Sequence, residues 1–553
     1  MGARGTSQET IDTAGIRWHL APGAAEILNA STLDLAIHQR SGAAQVVKSG
    51  PHRTVYRIAL PAGVVFWKHC RIAGIRSWLR QCLRPPKAKM EFDRAIALAA
   101  RGIATIEPLA WGIDHHKVIG ESYLITRELV GAESLSHYLE QIAANHNQPR
   151  KRRAAAVALG QFFAQLHEAG VVHPDLHAGN ILVASHDEQA RFHLIDLHDI
   201  RLGKPLAWAA RRDNLVVFNR WFVDHASRSD RCRFWNAYVA ATSNSSMFPD
   251  DAALDVERRT LESNLAFRAG RDRRCMGSNR YFQKVRSHLV KGLAVRDIDE
   301  SLLQRLLADP DQPFRDPAAI LLKDSRTSTV AEITVDTPNG PKRYIWKRFC
   351  SKKPFTGLIN LYRSSPALRA WQAGFAFYVR GLPTPRPLLL LHRRGLLGAG
   401  EGYLLCEKID DALDLLRAND ALAKFDCNRQ RMAIASLARL VRDMHDLRLS
   451  HRDLKAANVL WTSATDSFSF IDLVGVAMLR HVPALVKMKN LARLNLSFTQ
   501  SPYLTRTDRL RFLRTYLCWG LRGREGWKFW WKGVADASQV KVEQNQRRGR
   551  PVA

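Results

Sequence analysis

The sequence predicts an α+β protein of two tandem repeats, each with a β-rich front lobe and a helical rear lobe. Three observations carry this. Stretches that alternate apolar and polar residues precede stretches with helical spacing, and that order occurs twice in 553 residues. A polar loop set between apolar runs, VVHPDLHAGNILVASHDEQARFHLIDLHD (Val171–Asp199), has a counterpart in SHRDLKAANVLWTSATDSFSFIDLVGV (Ser450–Val476). Matching positions also keep a near-constant offset: 279 for Lys68 and Lys347 (347 minus 68), 278 for Asp175 and Asp453 (453 minus 175), 276 for Asp196 and Asp472 (472 minus 196). Asn180 pairs with Asn458, Asn214-Leu215 with Asn490-Leu491, and Asp230-Arg231 with Asp508-Arg509. Chance does not produce such a series.

Taken in order, residues 1–40 read as an N-terminal cap without a firm element. From Ala44, QVVKSGPHRTVYRIALPAGVVFWKHC alternates like paired strands, with Pro61-Ala62-Gly63 as the turn. KMEFDRAIALAARGI reads as a helix ending near Gly102, and Ser122–Leu129 as a strand. AAAVALGQFFAQLHEAG has apolar residues at helical spacing and stops at Gly170. Helix is expected again to about Tyr238, with Trp208, Trp221, Phe222 and Trp235 as core. The first domain is therefore 41–242. Residues 243–306 turn polar and basic and read as a helical connector. The second domain is 307–522, with Pro338-Asn339-Gly340 as a hairpin turn. Residues 523–553 form a basic tail in which GWKFWWKG interleaves aromatics and lysines, as an interfacial anchor or a segment folded back on the domain.

Lysine and arginine exceed aspartate and glutamate by 83 to 52, a formal charge of +31. That balance favours polyanionic partners: an anionic membrane face, a phosphorylated glycolipid or nucleic acid. The nucleic-acid reading rests on charge alone, and we set it behind the others. The eight cysteines are scattered without a CxxC pair, which excludes a zinc ribbon or disulfide scaffold and suits a reducing cytoplasm. No apolar run approaches the roughly 20 residues of a membrane helix, so membrane association is expected to be peripheral.

The two polar loops carry the chemistry. Phosphoryl transfer needs a carboxylate beside the attacking hydroxyl and oxygen ligands for Mg²⁺ on the nucleotide phosphates. A loop Asp, an Asn five residues on and an Asp on the next hairpin supply that set twice: Asp175, Asn180 and Asp196, then Asp453, Asn458 and Asp472. Ahead of them, Lys68 and Lys347 end strands, where a kinase front lobe places its phosphate-binding lysine; Glu91 lies on the following helix, where it would hold Lys68. The repeats differ here. Glu91 has no counterpart near Arg369 or Ala370, whereas His451-Arg452-Asp453-Leu454-Lys455 places Lys455 to neutralise a transferred phosphoryl group. Pro174 and His177 replace that Arg and Lys in the first loop. Neither repeat has a GxGxxG phosphate loop or a strict Asp-Phe-Gly.

With the Trp-Lys strands, the loops HPDLHAGN and HRDLKAAN, the Ile-Asp pairs and the phrases RGIATIEPL and RGLPTPRPL, the chain resembles the lipopolysaccharide kinase (Kdo/WaaP) family. The resemblance implies two tandem bilobal protein-kinase-like domains. It implies ATP- and Mg²⁺-dependent phosphorylation of a sugar hydroxyl in lipopolysaccharide core or a related glycolipid, at the cytoplasmic face of the inner membrane. Carried over, Asp175 and Asp453 are catalytic bases, Lys68 and Lys347 phosphate ligands, and Asn180, Asp196, Asn458 and Asp472 metal ligands. Two alternatives stay open: a protein Ser/Thr kinase, which HRDLKAAN favours and a missing Ala-Pro-Glu opposes, and a partly inactive pseudokinase scaffold or nucleotide sensor.

Overall fold

The computed structural model describes residues 9–50, 52–72, 74–116, 119–144, 148–186, 189–337, 340–350, 364–395, 398–518 and 526–549. The chain divides into two units, Met1–Asn264 and Leu265–Ala553. Each is a protein-kinase-like α+β domain with a sheet lobe and a helical lobe.

In the first unit the strands are β1 (Thr10–Thr13), β2 (Ile16–Leu20), β3 (Ala44–Ser49), β4 (Arg53–Leu60), β5 (Gly63–Cys70), β6 (Pro108–Asp114) and β7 (Ser122–Arg127). They form one sheet in the order β1-β2-β6-β7-β5-β4-β3, every pair antiparallel. Alternation decides which side chains reach the core. Along β4, Thr54, Tyr56, Ile58 and Leu60 are buried; along β5, Val65 and Trp67 are. Lys68 therefore projects from the opposite face. The helix Lys87–Ala99 packs across this face with Phe92, Ala95 and Leu98 buried.

The expected N-terminal cap is corrected here. Its residues Thr10–Leu20 are a hairpin that extends the sheet, with β2 pairing β6. Trp18 seals the join, meeting Trp67 edge to face at 5.1 Å.

The helical lobe is built on Pro149–Glu168, which has proline in its first turn and ends at Gly170, φ +71°. Gly160 in mid-helix faces the helix Arg228–Ala240, so closely that a Cβ would strike the backbone at Phe234 and Tyr238. Leu135–Ala144, Trp208–His225 and the part of Ala252–Asp272 up to Asn264, where the first unit ends, belong to the same lobe.

The second unit repeats this layout. Its sheet runs Phe282–Arg286, Val290–Val295, Pro387–Gly395, Gly398–Glu407, Gly340–Phe349, Ser328–Thr337, Ile320–Ser325, the same order as the first. The expected helical connector is thus helical only in part. Ala252–Asp272 is a helix, but residues 282–295 form the hairpin equivalent to β1 and β2. Thr337 pairs with Gly340 across the expected turn, whose Pro338 and Asn339 lie outside the described residues. The tail is also helix, Gly526–Gln546. Trp530, Trp531 and Val534 pack on the second helical core, while Phe529 stays exposed. Of the two readings of this tail, the folded-back one describes it. Among the described residues no helix is long and apolar enough to cross a membrane.

Candidate active site

The register of β4, β5 and β7 sets the first unit's cleft. Lys68 lies between Val55 and Leu124 in the ladder. Its Nζ donates to Glu91 Oε1 at 2.5 Å, and both side chains are largely buried. The helix bearing Glu91 is tied down by Arg94, which donates to the carbonyls of Leu197 and His198 just beyond Asp196.

The polar loop is braced from beneath. Asn214 Oδ1 accepts from the His173 backbone N–H (3.1 Å), and His173 Nδ1 accepts from the N–H of Asp175 (3.2 Å). Burial holds the His173 imidazole below its ordinary pKa, which suits an acceptor ring. Asn180, buried, donates from its amide to the Asp175 carbonyl at 2.9 Å. The Asp175 carboxylate stays in solvent, 80% exposed, with His177 3.7 Å away. A group so exposed can meet an incoming acceptor.

Asp196 sits in the left-handed region, φ +62°, an unfavourable conformation for a residue with a Cβ. Burial raises its pKa, but His198 (2.9 Å) and Arg53 (3.0 Å) outweigh burial and hold the carboxyl far below its usual range.

The second unit reproduces the loop bond for bond. Asn490 accepts from His451 N–H at 3.1 Å, His451 Nδ1 from Asp453 N–H at 3.2 Å, and Asn458 donates to the Asp453 carbonyl at 2.8 Å. Asp472 repeats the left-handed backbone at φ +56°. Lys455 Nζ is 3.8 Å from Asp453 Oδ2, and Arg493 approaches the other oxygen at 3.5 Å.

The lysine is wired differently. With Ala370 where the first unit has Glu91, Lys347 Nζ donates to Asp472 at 2.7 Å. Ser328 stands where the first unit has Arg53, so Asp472 has no guanidinium from that strand. Burial raises the Asp472 pKa; Lys347 outweighs it and the net shift is downward.

The donors fit Mg²⁺ better than a softer ion. Each cleft would offer a metal one carboxylate and one amide oxygen, Asp196 with Asn180 and Asp472 with Asn458, hard ligands of the kind that bind Mg²⁺ together with phosphates and water. Among the described residues no group of three or more His, Cys, Asp or Glu is gathered around a metal position.

Sequence reasoning missed Arg53, His198 and Arg493. It also missed a charge exchange at one register position. Arg57 pairs Glu128 at 2.7 Å in the first unit, and Glu332 pairs Lys408 at 2.6 Å in the second. The signal was present, since Arg57 and Glu332 each lie two residues beyond a Thr-Val pair, Thr54-Val55 in the first repeat and Thr329-Val330 in the second.

The family profile described as "Lipopolysaccharide kinase (Kdo/WaaP) family" matches residues 67–238 and 362–516, more than half of the chain. A 3-deoxy-D-manno-octulosonic acid kinase of Pasteurella multocida (strain Pm70) is 30% identical over 141 residues, 25% of this chain and 54% of the relative. One of Haemophilus influenzae (strain PittEE) is 38% identical over 90 residues, 16% of this chain and 34% of the relative. The chain thus spans about half or less of the length of these curated relatives. Among solved structures, "WaaP in complex with acyl carrier protein" is 22% identical, covering 41% of this chain and 92% of its own, with a TM-score of 0.32. The PknI kinase domain of Mycobacterium tuberculosis is 12% identical, covering 39% and 96%, with a TM-score of 0.25.

Proposed function

Since the chain belongs to the lipopolysaccharide kinase (Kdo/WaaP) family, we propose that it phosphorylates a sugar hydroxyl of a lipopolysaccharide core or related glycolipid, using ATP. The observation that carries this is the first cleft: a buried Lys68–Glu91 pair at 2.5 Å above a loop that presents Asp175, Asn180 and Asp196. Bound there, ATP with Mg²⁺ supplies the phosphoryl group and the charge neutralisation it needs. Lys68, oriented by Glu91, binds phosphate oxygens. Asn180 and Asp196 hold the metal. Asp175 accepts the proton of the acceptor hydroxyl. The +31 charge suits an anionic glycolipid and a peripheral place on an anionic membrane face.

On this reading the chain is a tandem duplication whose domains each begin at the outer hairpin and end in the long C-terminal helix. In the second copy Asp453 is the base, Lys455 the neutralising cation, Asn458 and Asp472 the metal ligands and Lys347 the phosphate ligand. The second copy is the weaker, because Lys347 must leave Asp472 to meet a nucleotide. That pairing favours a nucleotide-sensing or scaffold role for this half.

The test is transfer of radiolabelled phosphate from ATP with Mg²⁺, offering dephosphorylated lipopolysaccharide core and a generic protein side by side. General-base removal costs roughly 10²–10⁴-fold, so Asp175→Ala is expected to abolish most transfer to glycolipid, while Asp453→Ala leaves the greater part. Near-wild-type turnover in Asp175→Ala would overturn the assignment of the first cleft. Transfer to protein alone would move the acceptor to a Ser/Thr hydroxyl.

A further inference from the structure

The first cleft contains a second cation, Arg53. In the β4–β5 ladder Arg53 lies opposite Cys70 and Val55 opposite Lys68, so Arg53 and Lys68 project from the same face two positions apart. In the sequence Arg53 follows SGPH, where a kinase would have the glycine-rich motif that covers the nucleotide phosphates and where this chain has no such motif. Its Nη1 crosses to Asp196 Oδ1 at 3.0 Å, with the two side chains 28% and 23% exposed. On this face Lys68 is paired with Glu91 and Arg53 with Asp196.

The second unit has neither Arg53 nor Glu91. Ser328, opposite Phe349, takes the first position and Ala370 the second, and Lys347 pairs with Asp472, on which Lys323 also acts. The arginine and the glutamate occur together in the cleft whose lysine is held away from the aspartate. Arg53 is also not the sole support of Asp196, because His198 Nδ1 lies 2.9 Å from the same oxygen.

We infer that Arg53 is a nucleotide-phosphate ligand of the first cleft, doing with a guanidinium what a glycine-rich loop does with backbone N–H groups. Docked on Asp196 in this structure, it turns onto the phosphates when nucleotide binds. The planar fork of arginine suits phosphate oxygens in a way a single ammonium does not. The inference rests on the kinase reading above. A contrary role, in which Arg53 plugs the cleft by holding Asp196, makes the opposite prediction.

The test titrates the full chain with ATP plus Mg²⁺, and separately with adenosine, by calorimetry. A Lys347→Ala background removes the phosphate lysine of the second cleft. Arg53→Ala is expected to weaken ATP binding about tenfold, the loss of one charge-assisted hydrogen bond. Arg53→Lys should fall between, and adenosine affinity, which reports an intact fold, should not move. Unchanged or tighter ATP binding in Arg53→Ala, or an equal loss for adenosine, would overturn the inference. ATP binding in the wild type that vanishes with Lys347→Ala would also overturn it, leaving the kinase reading intact. No ATP binding in the wild type would instead remove the kinase reading itself.

Discussion

Two buried histidines hold equivalent places in the two helical lobes. His167 Nδ1 meets Tyr238 Oη at 2.8 Å, and His445 Nδ1 meets Tyr516 Oη at 2.8 Å. Burial pushes His167 down to about 3, with Arg211 adding to the effect. It pushes His445 down to about 4, opposed by the Asn490 hydrogen bond and aided by Lys487. Both rings are neutral in the folded protein, whereas the unfolded chain protonates them near 6.5. Between those values the unfolded state binds more protons, so stability rises with pH and is lost as pH falls below about 6.5. Thermal melts from pH 7.5 to 4.5 should show a falling Tm. His167→Asn should start lower at pH 7.5 but descend less steeply. A slope equal to that of the wild type would mean that His167 is not part of the acid response.

Helix contacts distinguish the two lobes at the next scale. Gly160 lets the helix Pro149–Glu168 approach Arg228–Ala240 until only hydrogen fits between them. The second lobe has Ala438 there, fully buried, between helices that accommodate a methyl group. Gly160→Leu should destabilise the first unit by about 3 kcal/mol, because rigid backbone, not a flexible side-chain end, stands in the way. Equilibrium urea unfolding checks this, and an unchanged midpoint would show that the helices part without cost. Such packing was only half legible in sequence. The helix and its stop at Gly170 were readable from periodicity and the need for φ +71°, yet the second lobe makes the same turn with Arg448 at φ +64°, which no turn rule selects. The catalytic-type loops were readable because their spacing is local. Trp18 on Trp67, Arg53 on Asp196 and the hairpins at residues 10–20 and 282–295 were not. Those short strands lack a long alternating run, and the side-chain contacts join positions far apart in the chain.

At the scale of the whole molecule, two units of one topology carry two charge networks. The first keeps its lysine on a helix carboxylate, 11% exposed and ready for phosphate; the second spends it on Asp472, 20% exposed. A nucleotide entering the second cleft must first break the Lys347–Asp472 pair, and no glutamate then orients the lysine. For a partly solvated pair that cost is up to about 1 kcal/mol, or roughly fivefold in affinity. Two full-length variants isolate the clefts: Lys68→Ala disables the first and Lys347→Ala the second. ATP with Mg²⁺ should bind the Lys68→Ala chain about fivefold more weakly than the Lys347→Ala chain. Equal affinities would mean that Ala370 and Ser328 are neutral exchanges and that the units share the work evenly. Tighter binding by the Lys68→Ala chain would reverse the assignment and make the second unit, with Lys455 beside Asp453, the principal nucleotide site.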